Sequence, residues 1–371
     1  MLVGVPSEVK PGENRVALTP DGVHELAAHG HQVVVERGAG ERSSFHDDDF
    51  LATGARLVDA AEAWGAEIVL KVKEPQPEEF GRLRSDLVLF TYLHLAAYPT
   101  VADALLTAGT TAIGYETVRN PAGDLPLLAP MSEVAGRLAP QVGAHFLERA
   151  QGGRGVLMGG APGVRPARVV VIGAGTVGLN AAWIAQGMEA EVFLLDRNVD
   201  RLRVVDQIHR GRIMTLASSR AVVERSVSEA DLVIGAVLVP GGRAPVVVTE
   251  DMVRAMRPGS VIVDVAVDQG GCVATTTETT HAAPVVEHFG VLHYGVGNMP
   301  AAVPHTSTYA LTNVTLPYAV TLAGFGVRQA VKAEPALASG LATAGGALTN
   351  QATAEALGKP FVEPLVALGA E

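Results

Sequence analysis

The sequence predicts an α/β protein of two units, one a Rossmann-type doubly wound parallel sheet and the other a second, discontinuous α/β unit. Three observations lead there. Apolar, β-branched runs alternate with helical stretches over most of the chain, a glycine fingerprint follows one such run at Val169 to Ile172, and strands give way to helices after Pro304. At 371 residues the chain exceeds one ordinary core, and a hydrophobic content of 48% supplies enough apolar surface for two.

Met1 to Val5 reads as the first strand. Thr19-Pro20 is an N-cap and first-turn signal for a helix that Gly30 closes, and Gln32 to Glu36 is the next strand. Further strands are expected at Ile68 to Val72, Leu87 to Tyr92 and Thr111 to Tyr115. A long helix from Met131 to Ala150 carries Pro140, where the ring removes a ladder hydrogen bond and a kink is expected. Alternation then resumes, with strands at Arg168 to Ile172, Glu191 to Leu195, Asp231 to Val237, Ser260 to Val265 and Val291 to Tyr294. Beyond Pro304 the segments Ser307 to Gly324, Arg328 to Val331 and Ala352 to Leu357 read as helix, with no convincing strand. So short a tail cannot bury a core alone, so it is expected to pack back on the first unit. The expected organisation is therefore 1-130 with 305-371 as the substrate (catalytic) domain and 131-304 as the nucleotide domain, with two connections that permit hinge closure.

Several classes are excluded. No run of about 20 strongly apolar residues is present, since Gly173, Gly175, Gly178 and Asn180 break the longest weakly polar stretch, so no membrane span is expected. The start, with Glu8 and Lys10, lacks the pattern of a signal peptide, and the single cysteine, Cys272, forbids an internal disulfide; both point to the cytoplasm. A formal net charge of −11 disfavours nucleic acid and anionic lipid as partners. Cys272 and the histidines show no metal-ligand spacing, so no metal is expected.

The strongest local signal is Val169-Val170-Val171-Ile172-Gly173-Ala174-Gly175-Thr176-Val177-Gly178, followed by Asp196 at the end of the next strand. Gly173 permits the tight turn, Gly175 lets backbone N–H groups approach a pyrophosphate at the helix N-terminus, and Gly178 lets helix pack on strand. Asp196 is placed to accept from both ribose hydroxyls and would repel a 2′-phosphate, so NAD is the expected cofactor. Arg197 beside it leaves room for NADP.

Ligands in such sheets sit beyond the carboxyl ends of the strands, which singles out Arg15, Lys73, His94 and Asp268. Arg15 can grip a small carboxylate two-pronged and Lys73 can act as a point charge near a carbonyl oxygen, or both can be surface ion pairs with Glu13 and Glu74. His94 has the chemistry of a general acid/base, though a histidine after an apolar strand is more often a satisfied core residue. Asp268 can exchange protons with substrate near the nicotinamide or simply cap a loop before Gly270. Asp264 reads as structural. Ser132, Asn298 and Met299 are weaker cofactor or substrate contacts, with helix capping the alternative for Ser132.

The stretches Glu13 to Pro20, Leu70 to Pro75, Leu89 to Ala97, Leu127 to Leu138, Val261 to Gly271, Asn298 to Pro300 and Ala310 to Pro317 resemble the alanine dehydrogenases, in the same order along essentially the whole chain. The resemblance implies NAD-dependent, reversible oxidative deamination of L-alanine to pyruvate and ammonium, in a homohexamer. It implies that Arg15 and Lys73 bind substrate, that His94 and Asp268 are catalytic, and that Asp196 reads the adenosine ribose. Pro140, Gly295, Gly297 and His305 depart from the pattern, and the two glycines are expected to loosen a loop beside the nicotinamide. Two other readings share the two-domain layout. The NAD-binding subunit of a proton-translocating transhydrogenase lacks, as the resemblance goes, counterparts of Lys73, His94 and Asp268, and a dehydrogenase of larger amino acids, such as those acting on saccharopine, would need a wider pocket.

Overall fold

The computed structural model describes residues 1–237 and 244–369 and divides into two compact units, Met1–Met131 with the chain from Val303 onward, and Ser132–Ala302. The first unit opens with six strands: β1 (Leu2–Val5), β2 (Gln32–Glu36), β3 (Arg56–Val58), β4 (Ile68–Leu70), β5 (Val88–Thr91) and β6 (Thr111–Gly114). They lie in the order β6-β5-β4-β1-β2-β3 and every pair among them is parallel. All three residues of β4 are buried, as a strand covered on both faces requires. The chain leaves β1 toward β2 and β3 on one side, while β4 to β6 lie on the other, so the switch point falls between β1 and β4. Arg15 follows β1 and Lys73 follows β4, one on each side of that point. Thr19 caps the helix Pro20–Ala28 by accepting from Gly22 N–H at 3.2 Å.

The helix Ala129–Phe146 contains Pro140, so the Gly136 carbonyl lacks its usual ladder donor. It ends short of Ala150, and a 3-10 turn, Arg149–Gln151, follows. The second unit holds β7 (Arg168–Ile172), β8 (Glu191–Asp196), β9 (Ile213–Ala217), β10 (Leu232–Gly235), β11 (Val261–Asp264), β12 (Val285–His288) and β13 (Val291–Tyr294), in the order β12-β13-β11-β10-β7-β8-β9. All pairs are parallel except β12 with β13. The switch point lies between β7 and β10, where the glycine loop begins. Strands β9 and β12, not expected from sequence, are edge strands with partly exposed side chains, so neither shows a continuous apolar run.

His293 stands in β13, whose four residues are all buried. Its Nδ1–H donates to the Val291 carbonyl at 2.9 Å and Nε2 faces the Thr275 hydroxyl at 2.8 Å, which fixes the neutral ring. Burial lowers its pKa to about 4. An unfolded histidine titrates near pH 6.5, so the unfolded chain takes up this proton first as pH falls. Stability from the neutral ring is present in full above about pH 6.5 and is lost down to about pH 4. His293→Gln is expected to flatten the loss of melting temperature between those values; an acid decline as steep as the parent's would remove His293 from the account.

The chain returns to the first unit through the helix Pro304–Phe325. His305 donates from Nδ1 to the Ser43 carbonyl at 2.9 Å and stacks on Phe45 at 5.2 Å, so a local aromatic cluster accommodates this departure from the pattern. The expectation of a purely helical tail is corrected. β14 (Leu341–Ala344) adds antiparallel to β6, and β15 (Ala347–Leu348) pairs with it to complete an eight-stranded sheet. These strands are short and rich in alanine, so they lack the usual strand signature. The signal that marks them is Gly345-Gly346, both with positive φ (55° and 79°), as a tight hairpin turn requires.

Candidate active site

Four loops at the carboxyl ends of adjacent strands β1, β4, β5 and β6 carry the first unit's polar cluster. Arg15 is 2% exposed and Glu13 is fully buried. Glu13 Oε1 accepts from Arg15 Nε at 2.7 Å and from its backbone N–H at 3.0 Å, while Oε2 accepts from Nη2 at 2.6 Å. Arg15 Nη1 points to the Met131 sulfur at 2.8 Å. The pair is a two-pronged clamp in the interior, where loss of either partner would strand a charge, and is no surface ion pair.

Glu74 pairs with Lys10, whose ammonium donates to Oε1 at 2.5 Å, rather than with Lys73. Among the described residues no hydrogen bond or ion pair reaches the Lys73 ammonium. Burial, reinforced by the Arg15 and Lys10 charges, pushes Lys73 below its ordinary pKa, with Glu13 and Glu74 opposing. An ammonium in this setting favours an arriving anion. Lys71, two residues earlier, is fully buried and donates to Glu8 at 3.1 Å and Glu79 at 2.9 Å, while Glu8 also accepts the Val72 N–H at 2.6 Å. Sequence reasoning missed this triad, which ties β4's exit to the loop after β1.

His94 has φ +48°, and its ring stacks on Tyr92 with centroids 5.8 Å apart and planes 2° apart. Tyr92 is fixed in turn by its hydroxyl, which donates to the Leu127 carbonyl at 2.6 Å. Burial holds the imidazole below its usual pKa; Lys73 and Lys10 act in the same sense, Glu116 and Glu74 against it. The ring is thus neutral near pH 7 and able to accept a proton. The residue keeps partial exposure and lies among the charges of Glu116, Lys73, Glu74 and Lys10.

In the second unit, Gly173 has φ +107°, and a Cβ there would lie 2.5 Å from the Ala236 carbonyl oxygen. A Cβ on Gly178 would meet the Gly173 oxygen at 1.7 Å. At Gly175 an added Cβ would meet nothing within 4 Å, leaving an open cradle at the N-terminus of the helix Thr176–Gly187, which no side chain caps. Unpaired first-turn N–H groups beside open space fit a pyrophosphate. Asp196 Oδ2 accepts the Ala174 N–H at 2.6 Å and Oδ1 accepts the Asn198 N–H at 2.7 Å, so the carboxylate is held at the rim of that cradle with lone pairs to spare. Hydrogen bonds to a charged group contribute about 1.5–3 kcal/mol. Asp196→Ala is therefore expected to weaken NADH binding roughly 10- to 100-fold in a fluorescence titration; unchanged affinity would rule out contact with the ribose.

Asp268 is exposed in the turn after β11, and its Oδ2 accepts the Asn298 N–H at 3.3 Å. Its loop is anchored by Asp264, which accepts from the backbone N–H groups of Ala266, Cys272 and Val273 at 2.9–3.1 Å. Asn298 has φ +55°, Met299 is buried in the 3-10 turn Met299–Ala302, and Ser132 lies inside the helix Ala129–Phe146 rather than at its cap. The expectation of a loosened loop at Gly295 and Gly297 is corrected. A Cβ on Gly295 would lie 2.4 Å from the Thr277 oxygen, and one on Gly297 would lie 2.4 Å from Glu278 Oε1 and 2.8 Å from Asp268 Oδ1. Gly297 permits close packing beside Asp268, and Gly295 permits it against the Thr277 carbonyl.

A dehydrogenase that uses a nicotinamide dinucleotide is the class in which such a glycine cradle accompanies a separate cluster of acid/base and cationic groups. The chain belongs to the alanine dehydrogenase/PNT family: the N-terminal domain model of that family matches residues 4–135 and the C-terminal domain model residues 139–351. Alanine dehydrogenase of Mycobacterium tuberculosis (strain CDC 1551 / Oshkosh) is 57% identical over 366 residues, covering 98% of this chain and 99% of the relative. Alanine dehydrogenase of Bacillus subtilis (strain 168) is 54% identical over 364 residues, covering 98% and 96%. A solved L-alanine dehydrogenase superposes with a TM-score of 0.95 at 51% identity, covering 96% of this chain and 99% of that one. A transhydrogenase from Sinorhizobium meliloti superposes at 0.81 with 28% identity, covering 95% and 100%.

Proposed function

We propose that the protein catalyses the NAD-dependent, reversible oxidative deamination of L-alanine to pyruvate and ammonium. The observation that carries this reading is the buried, Glu13-clamped Arg15 together with a neutral His94 and a Lys73 ammonium that no ion pair among the described residues reaches. Full-length likeness to alanine dehydrogenases supports it. Gly173, Gly175, Gly178 and Asp196 would hold NAD, with Ser132, Asn298 and Met299 as further contacts, and NAD supplies the acceptor for the substrate's Cα hydride.

Arg15 and Lys73 bind the substrate carboxylate, and the Lys73 charge also stabilises negative charge developing on the carbonyl oxygen. Loss of the Cα hydride from the neutral amine leaves an iminium. Water adds to that carbon, and His94 takes the proton water gives up. The resulting carbinolamine returns to a carbonyl when nitrogen gains a proton and leaves as ammonia while oxygen loses its own. His94 and Asp268 are the groups assigned to these transfers. The reverse reaction uses the same groups with each proton moving the other way.

The same reading takes the protein as a cytoplasmic homohexamer, supported by the family resemblance and by the single, buried Cys272. Among the described residues, no helix is long and apolar enough to cross a membrane.

The test is growth of the NADH absorbance band with purified protein and L-alanine, D-alanine, glycine, lysine or saccharopine, each with NAD⁺ or NADP⁺. L-alanine with NAD⁺ should exceed every other combination. Preference for a larger amino acid, or nucleotide binding without turnover of any, would overturn the reading.

A further inference from the structure

We propose that Glu116 is a positioning residue for His94, its carboxylate holding the backbone turn that carries the imidazole. This rests on the assignment of His94 as the acid/base of alanine oxidation. Glu116 sits in the 3-10 turn Tyr115–Thr117 directly after β6, which runs parallel to β5 up to the pair Thr91 and Gly114. That register brings the side chain level with the residues leaving β5. Its Oε1 accepts the His94 N–H at 2.6 Å, and the Leu93 N–H lies 3.3 Å from Oε1 and 3.2 Å from Oε2.

His94 needs such an anchor because it is a non-glycine residue with φ +48°. A left-handed conformation is disfavoured for an ordinary residue, and charge-assisted hydrogen bonds to two consecutive N–H groups offset that. Without them the N–H side of the turn loses its partner, and a shift there would carry the ring off the face of Tyr92. Stacking on Tyr92 fixes the ring plane, and the N–H groups of Ala97 and Tyr98 hold the His94 carbonyl at 2.8 and 3.2 Å, which leaves the N–H side of the turn to Glu116. Glu116 thus completes a chain of supports in which Tyr92 sets the ring plane and Glu116 sets the turn it grows from.

The carboxylate acts on His94 through charge as well. The groups facing the imidazole are Lys73 and Lys10, which disfavour its protonated form, and Glu116 and Glu74, which favour it. Geometry and charge separate by substitution. Glu116→Gln keeps an acceptor of similar size and removes the charge, while Glu116→Ala removes both.

The experiment measures kcat and KM for L-alanine across pH in the parent and both variants, with the His94 titration followed directly by NMR on histidine-labelled protein. Glu116→Ala should lose roughly 10- to 100-fold in kcat, as misplacement of a catalytic group by about 1 Å does, with KM changed by less than about threefold. Glu116→Gln should keep more of the turnover while its acidic limb and the His94 titration both move to lower pH. Parent-like kcat in Glu116→Ala overturns the proposal. So does a fall in kcat with the acidic limb and the His94 titration of Glu116→Gln unmoved, which marks a merely structural side chain. If the parent fails to oxidise L-alanine yet the NMR titration shifts as expected, the assignment of activity fails and the hold of Glu116 on His94 stands.

Discussion

Replacing His94 by alanine is expected to lower kcat for alanine oxidation by roughly 10²–10⁴-fold, the usual contribution of a positioned general acid/base. NADH affinity should stay within about twofold, because the glycine cradle and Asp196 belong to the other unit of the chain. The loss should be in kcat more than in KM, since the ring handles protons while Arg15 and Lys73 take the carboxylate. Stopped-flow formation of NADH together with fluorescence titration separates these quantities. A variant retaining more than about a tenth of the parent's turnover would remove the imidazole from the mechanism.

The second large effect concerns stability and contrasts two lysines two residues apart. Lys71 is fully buried between Glu8 and Glu79, so Lys71→Met strands two carboxylates in the interior. Breaking a buried ion pair by removing one partner costs about 3–5 kcal/mol, and the urea midpoint should fall accordingly. Lys73→Met removes an ammonium already penalised by burial and by neighbouring cations. That variant should unfold near the parent's midpoint or above it, yet lose alanine binding. Measured midpoints that fall equally in both variants, or fall more for Lys73→Met, would reverse the roles given to these residues.

That contrast shows how far the sequence could be read. Lys71 and Lys73 share a strand exit and a period-two spacing, and nothing local distinguishes them; what separates them is Glu8 and Glu79, brought in from a different loop and from a 3-10 turn. The central strands were legible because burial on both faces leaves a continuous apolar run, as at Ile68 to Leu70 and Val169 to Ile172. β9, β12, β14 and β15 were not, because edge and hairpin strands with small or half-exposed side chains carry no such run. Arg15, Lys73 and His94 announced themselves as polar residues after apolar strands, and the structure gathers them in one unit. Glu116 gave no comparable signal, since its partners are backbone N–H groups created by the turn at His94. Gly295 and Gly297 were misread as sources of looseness because the sequence does not show Glu278 and the Thr277 carbonyl closing in on them.

The substrate's Cα hydrogen is expected to leave as a hydride to the nicotinamide while His94 handles protons only. Oxidation of L-alanine deuterated at Cα, with mass spectrometry of the recovered nucleotide and of pyruvate, measures this directly. One deuterium on C4 of the reduced nicotinamide is expected for each pyruvate formed. Deuterium released to water, with unlabelled NADH or with none, would contradict it.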